Sequence, residues 1–151
     1  MLFFAAVSFG QSKSISRFRE EFKENSNMFF YSSTLKMLNT ENNPELADML
    51  KNIEEIRVLN YDMISRKFSD NDIGKLKKSL QEEHYNHIMM LHESGNSIDL
   101  YNKEKHGKAV GFVAVVENGQ SVVLIDLIGS IDVKKFMELK QKLDSRKANE
   151  N

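Results

Sequence analysis

Between Tyr85 and Gly129 the chain breaks into four apolar-rich runs separated by three short polar interruptions, Gly95-Asn96, His106-Gly107 and Asn118-Gly119. Pairs of this kind tolerate the positive φ angles of a two-residue hairpin, so the stretch predicts four antiparallel strands in a β-meander. Residues 97–103 alternate apolar and polar, as a strand with one wet face does, whereas 109–116 and 122–128 are apolar on both faces. Such strands need cover on two sides, from helices divided between the faces of the sheet or from a partner subunit. Helices are the better fit, because the pattern supplies about four of them.

The rest of the chain supplies those helices and two further strands. Ile15, Phe18 and Phe22 recur at helical spacing among Arg17, Arg19, Glu20 and Glu21, the stripe of an amphipathic helix. Residues 28–32 are aromatic-rich and follow the turn-like Asn25-Ser26-Asn27, which predicts a strand; Ser33 or Thr34 can then cap a short helical turn reaching Leu38. Asn43-Pro44 is a helix start, and Leu46, Met49, Leu50 and Ile53 follow as its stripe. A second strand puts Ile56 and Val58 on one face and Arg57, Leu59 and Tyr61 on the other. Ser69 with an acid three residues on, Asp72, opens a further helix with the stripe Ile73, Leu76 and Leu80, ending near Glu83 or His84. After Gly129, Ser130 or Asp132 can cap a last helix carrying Val133, Phe136, Leu139 and Leu143, and the polar tail 145–151 predicts fraying. The order of elements predicts an α+β fold: an antiparallel four-strand meander, extended in one reading by the two earlier strands, packed with about four helices. The early crossovers leave mixed strand pairing open.

With 40% hydrophobic and 28% charged residues in 151, the composition is that of a folded domain able to bury roughly two thirds of its unfolded surface. No repeat or Gly/Pro/Ser linker divides it, so 11–151 is expected to be one domain. A formal charge of −1 provides no global field for nucleic acid or an anionic membrane. The absence of cysteine excludes disulfides, thiolate metal sites and a cysteine nucleophile. Residues 1–10 are apolar and end in Ser8-Phe9-Gly10, a small-x-small pattern of the kind signal peptidases cut, so they are expected to be a signal-peptide remnant, although no Lys or Arg precedes the run. A buried N-terminal strand or helix is the alternative. The run is too short to span a bilayer, which needs about 20 apolar residues. Export to the periplasm or the cell exterior follows as the expectation.

All four histidines lie at 84–106, and His84, His87 and His92 have the look of a metal cluster. On one regular strand, however, His87 and His92 point to opposite faces about 16 Å apart, so no metal site is expected, and no cofactor. A two-residue turn at Gly95-Asn96 would place His92 opposite Asp99, the sharpest candidate site in the chain. Such a pair can serve as base and orienter in a hydrolase, but no serine nucleophile motif accompanies it, and a surface ion pair is the plainer reading. Asp126 interrupts the apolar run 122–128; with a turn at Asn118-Gly119 it faces Gly111 and is a candidate ligand-facing acid, or else a residue at a sheet edge. Met37, Met49, Met89, Met90 and Met137 sit at core-like positions and are expected to pack.

The blocks MFFYSSTLKML, IEEIRVLNYD and HYNHIMMLHESGNSIDLYNKEKHGKAVGFVAVVENGQSVVLIDLIGSID, in this order and spacing, resemble the bacterial family called domain of unknown function 4252. The resemblance runs from Ile15 to Leu143, and the Tyr-x-x-Ile-Met start of the meander and its Gly-Ser-Ile-Asp close carry most of it. It implies a small exported α+β protein, mainly of Bacteroidetes, and brings no established activity, cofactor or catalytic residue. The family pattern often has an acid where this chain has Gly111. The expected function is a non-enzymatic envelope module that binds another envelope protein or a small ligand, as a monomer or homodimer. The alternatives are a hydrolase-like enzyme using His92 and Asp99 and a dimeric structural protein.

Overall fold

The computed structural model describes residues 11–65 and 68–149, without eight side chains of the last helix, among them Phe136, Leu139 and Leu143. The expected signal-peptide remnant and those three stripe positions therefore lie outside the described residues. Among the described residues the fold is α+β, with six strands in one antiparallel sheet and five helices. In chain order these are α1 (Lys13–Glu21), β1 (Ser26–Tyr31), α2 (Ser32–Met37), α3 (Pro44–Leu50), β2 (Ile53–Asp62) and α4 (Asp70–Glu82). The strands β3 (Asn86–Glu93), β4 (Asn96–Lys105), β5 (Lys108–Glu117) and β6 (Ser121–Gly129) follow, and then α5 (Val133–Asn149). None of these helices is long and apolar enough to cross a membrane.

The sheet order is β1-β2-β6-β5-β4-β3. The meander forms from β3 to β6, and β2 adds to β6 with β1 outside it, so the two earlier strands do extend the sheet. Every pairing is antiparallel, and the mixed pairing left open by the sequence does not occur. The link from β2 to β3 contains α4 and carries the chain from next to one edge to the other. β3 therefore enters at the far side and the meander fills the gap back toward β2.

The helices divide between the two faces. On the first face α1 and α4 cover Leu59, Tyr61, Tyr101, Val113, Val115, Val122 and Leu124, and they insert Ile15, Phe18, Ile73, Leu76 and Leu80 into the same core. Phe18 stands edge-on to Tyr61 and Phe68, with ring centroids 5.2 and 5.8 Å away. On the second face Leu35 of α2, Leu50 of α3 and Val133 of α5 pack with Ile53, Phe112 and Leu127. This cover explains why β5 and β6 are apolar on both sides. It is thinner than the first: Ile98, Val116, Val123 and Ile125 stay half-buried.

Three helix starts follow the expected chemistry. Asn43 Oδ1 accepts from the Glu45 and Leu46 backbone N–H groups, Ser69 and Asp72 form a capping box, and Asp132 Oδ1 accepts from Lys134 and Lys135. Four local expectations fail. Ser33 and Thr34 lie inside α2 rather than capping it, since the helix starts at Ser32 after Tyr31 with no side-chain cap bond. Ile53 belongs to β2 rather than to the α3 stripe, because α3 ends at Leu50. Helix α5 continues through most of the tail expected to fray, to Asn149. Met37 and Met90 are not core residues but 77% and 58% exposed, since α2 and the edge strand β3 turn those positions outward.

Candidate functional site

The second face carries a hollow. Across the sheet, Ile125, Ala114 and Leu100 form one row on β6, β5 and β4, and Leu127 and Phe112 belong to the neighbouring row. Ala114 is the smallest side chain of its row, so the surface dips above it. Ile131 and Val133, on the turn into α5, close one side. The result is a cavity of about 160 Å³ whose lining, Leu100, Phe112, Ala114, Ile125, Leu127, Ile131 and Val133, is apolar. A space of this size, with no polar side chain among the described lining residues, favours a six-membered ring or a short alkyl segment; a dry cavity of about 150 Å³ elsewhere is known to take benzene.

The first face carries the polar groups. One cross-strand row runs Arg57, Asp126, Val113, Tyr101, His87, and Asp99 lies in the next row beside Val115. Asp99 is buried, accepts from Lys77 Nζ at 2.8 Å and lies 2.9 Å from His87 Nε2; Lys77 also reaches Glu117 at 3.0 Å. Burial pulls the Lys77 amine down, but its bonds to Asp99 and Glu117 outweigh this and hold it above the usual lysine value. The His87 ring stacks on Tyr101 with centroids 4.8 Å apart. The outer rows thus hold an ion network under α4, formed by groups that would be costly to bury singly.

This geometry overturns the expected His92/Asp99 pair. The hairpin turns at Ser94-Gly95, with φ of 50° and 81°, so His92 pairs with Ser97 and Asp99 with Met90. A bulge between His87 and Met89 then brings His87 onto the Asp99 side of the sheet. It also places His87 and His92 on the same face, where a regular strand would have put them on opposite ones. Their partners Tyr101 and Ser97 are four residues apart, roughly 13 Å along the strand. Among the described residues no group of three or more His, Asp or Glu gathers at metal-binding distance.

Asp126 is also displaced from its expected partner. Gly119, with φ of 83°, is the first central residue of a turn flanked by Asn118 and Ser121, whose side chain and backbone bond each other. Asp126 therefore opposes Val113 and Arg57, and Gly111 opposes Ile128. It is 2% exposed, beneath the start of α1, where Oδ2 accepts from Ser12 N at 3.0 Å. Burial pushes its carboxyl up to about 6, against the pull of the Ser12 N–H and Arg57. Glu83, at the end of α4, accepts from Ser12 Oγ and Ser14 Oγ and from the backbone N–H groups of Lys13 and Ser14, at 2.7–2.9 Å. Burial raises the Glu83 carboxyl, yet these four bonds hold it below its ordinary value. Two carboxylates and the Ser12 hydroxyl, which accepts from Ile15 N, thus satisfy the free N–H groups at the start of α1.

The model of a family described as a domain of unknown function, DUF4252, matches residues 18–139, which takes in the sheet, the Lys77/Asp99 network and the hollow, and the two carboxylates Glu83 and Asp126 but not the start of α1 that they hold. The chain belongs to that family. No curated protein and no solved structure matches it. Within the DUF4252 domain, His87, Lys77 and Glu83 have partners that the pattern of the chain does not signal, and Ala114 opens a hollow that was not expected. The first three take their roles from the bulge at Ile88 and from how α4 lies on the sheet. Ala114 carried a readable signal: it is the one small side chain among the bulky residues Phe112–Val116.

Proposed function

We propose that this DUF4252 domain is a non-enzymatic binding module of the cell envelope that takes an apolar group of its ligand into the hollow above Ala114. The carrying observation is the lining, which offers dispersion contacts and no hydrogen bond and so selects for shape and apolarity. The half-buried rows around it, Ile98, Val116 and Val123, extend the apolar surface for the rest of the ligand. The export half of the reading rests on the apolar run 1–10 and its Ser8-Phe9-Gly10 end.

The test is titration with benzene and with short alkyl alcohols, followed through the methyl resonances of Leu100, Ala114, Ile125 and Leu127. Saturable shifts confined to those methyls, lost in Ala114→Phe, are expected. Unmoved methyls at millimolar probe, or shifts unchanged in the variant, refute the hollow as the site.

A further inference from the structure

Processing at the Gly10–Gln11 bond would leave Gln11 at the edge of an acidic, largely buried cluster. Gln11 Nε2 donates to Glu55 Oε1 at 3.3 Å, and the next residue, Ser12, donates its backbone N–H to Asp126 Oδ2 at 3.0 Å. The other Asp126 oxygen, Oδ1, is buried with no hydrogen-bond partner among the described residues, an orphan in a site where each unpaired acceptor is costly. Asp126, Glu83 and Glu55 set three carboxylates against Arg57, which faces Asp126 from β2. Lys13, Arg17 and Lys103 lie on the solvent side of Glu83, in a surface hollow that they share with it.

We propose that this cluster is a receptor for the protein's own mature α-amino group, which docks between Asp126 and Glu55 and fastens α1 to the sheet. Hydrolysis of the Gly10–Gln11 amide by a processing peptidase consumes one water, breaks the C–N bond and leaves a carboxylate on Gly10 and an ammonium on Gln11. Covalent geometry keeps the Gln11 nitrogen within about 4 Å of Ser12 N, and Ser12 N already touches Asp126. The ammonium therefore forms within a small rotation of the orphan oxygen, and it brings three donors and a positive charge where the amide had one donor and none. The side-chain bond to Glu55 orients Gln11 for this contact. The inference rests on the export reading and is independent of the apolar hollow.

The experiment takes the full-length chain, exported from a bacterial host, and measures its intact mass. A chain beginning at Gln11 with a free amine is expected. The amine is then challenged by reductive methylation at neutral pH in the wild type, in Asp126→Asn and in Glu55→Gln. At least tenfold slower modification in the wild type than in Asp126→Asn, with Glu55→Gln in between, supports docking. Should Asp126→Asn fail to fold, the comparison with Glu55→Gln, at a half-buried position, decides. Equal rates in the wild type and the folded variants overturn the receptor and leave export standing. A chain blocked by cyclisation of Gln11, or cut at another bond, also overturns it, and a chain retaining residues 1–10 overturns the export reading as well.

Discussion

Arg57 on β2 and Asp126 on β6 stand directly opposite each other on the α1 face of the sheet, yet Asp126 bonds the Ser12 backbone and Arg57 Nε has no hydrogen-bond partner among the described residues. The pair is held by charge across the strands, and the guanidinium spreads its other side over the Phe29 ring at 5.0 Å. Burial lowers the Arg57 pKa, with Asp126 as the main opposing influence. Both groups are thus kept dry at some cost, and for Asp126 an ammonium on Gln11 would relieve it.

Asp126 makes stability depend on pH in a chain that retains residue 10. Its carboxyl sits at about 6 in the fold against an ordinary 3.8, so the folded state holds a proton that the unfolded state has lost. Its contribution is complete below about pH 4 and disappears as the pH rises through about 6. The separation corresponds to roughly 3 kcal/mol. Asp126→Asn is expected to flatten that part of the urea-denaturation profile and to raise stability at pH 7. A docked ammonium would hold the carboxylate ionised and remove the same slope, so the processed wild type should resemble the variant.

The corrected histidine assignment predicts unequal losses. His87→Ala takes a partner from buried Asp99 and is expected to cost about 1 kcal/mol. His92→Ala, at an exposed edge position away from Asp99, should stay within about 0.5 kcal/mol of wild type. Asp99→Ala strands Lys77 with Glu117 alone and is expected to cost about 2 kcal/mol. Equal effects of the two histidine variants in chemical denaturation would refute the assignment.

His84 closes α4 in the left-handed region, at φ 71°, and Tyr85 N donates back to Leu80 O at 3.0 Å. Glycine is the usual residue at such a helix end because it carries no Cβ penalty there. His84→Gly is expected to stabilise the protein by about 0.5–1 kcal/mol, seen as a rise in urea midpoint at unchanged slope.

Gly129 ends β6 at φ 125°, and a Cβ built there would stand 2.3 Å from Asn52 O and 2.9 Å from Ile53 Cα. Neither backbone atom can move without disturbing the start of β2. Gly129→Ala is expected to cost more than about 2 kcal/mol. A thermal midpoint within a degree or two of wild type would contradict this close approach.

The helices were legible because their signals are local. Asn43-Pro44 and the Ser69/Asp72 box each satisfy backbone groups within one turn, and the stripe Ile73, Leu76, Leu80 needs only the helical period. The hairpins were legible as hairpins, but two of three turns moved by one residue. Gly95 and Gly119 do take the positive φ that the sequence signalled, yet the second turn residue is the preceding Ser94 in one case and the following Gln120 in the other. Moving a turn by one residue shifts each pairing by two, which preserves faces and changes partners. Asp99 and Asp126 therefore kept their expected side of the sheet and lost their expected neighbours.

The sequence by itself determined the elements, the two-faced apolarity of β5 and β6, the family and the presence of two acids in need of partners, since each depends on composition or on spacings of a few residues. Only the tertiary structure decided which groups meet those acids. Ser12 reaches Asp126 across 114 positions, and Lys77 of α4 and His87 of β3 meet on Asp99, contacts that exist because a bulge, two turn registers and the lie of α1 and α4 are chosen together by packing of the whole sheet.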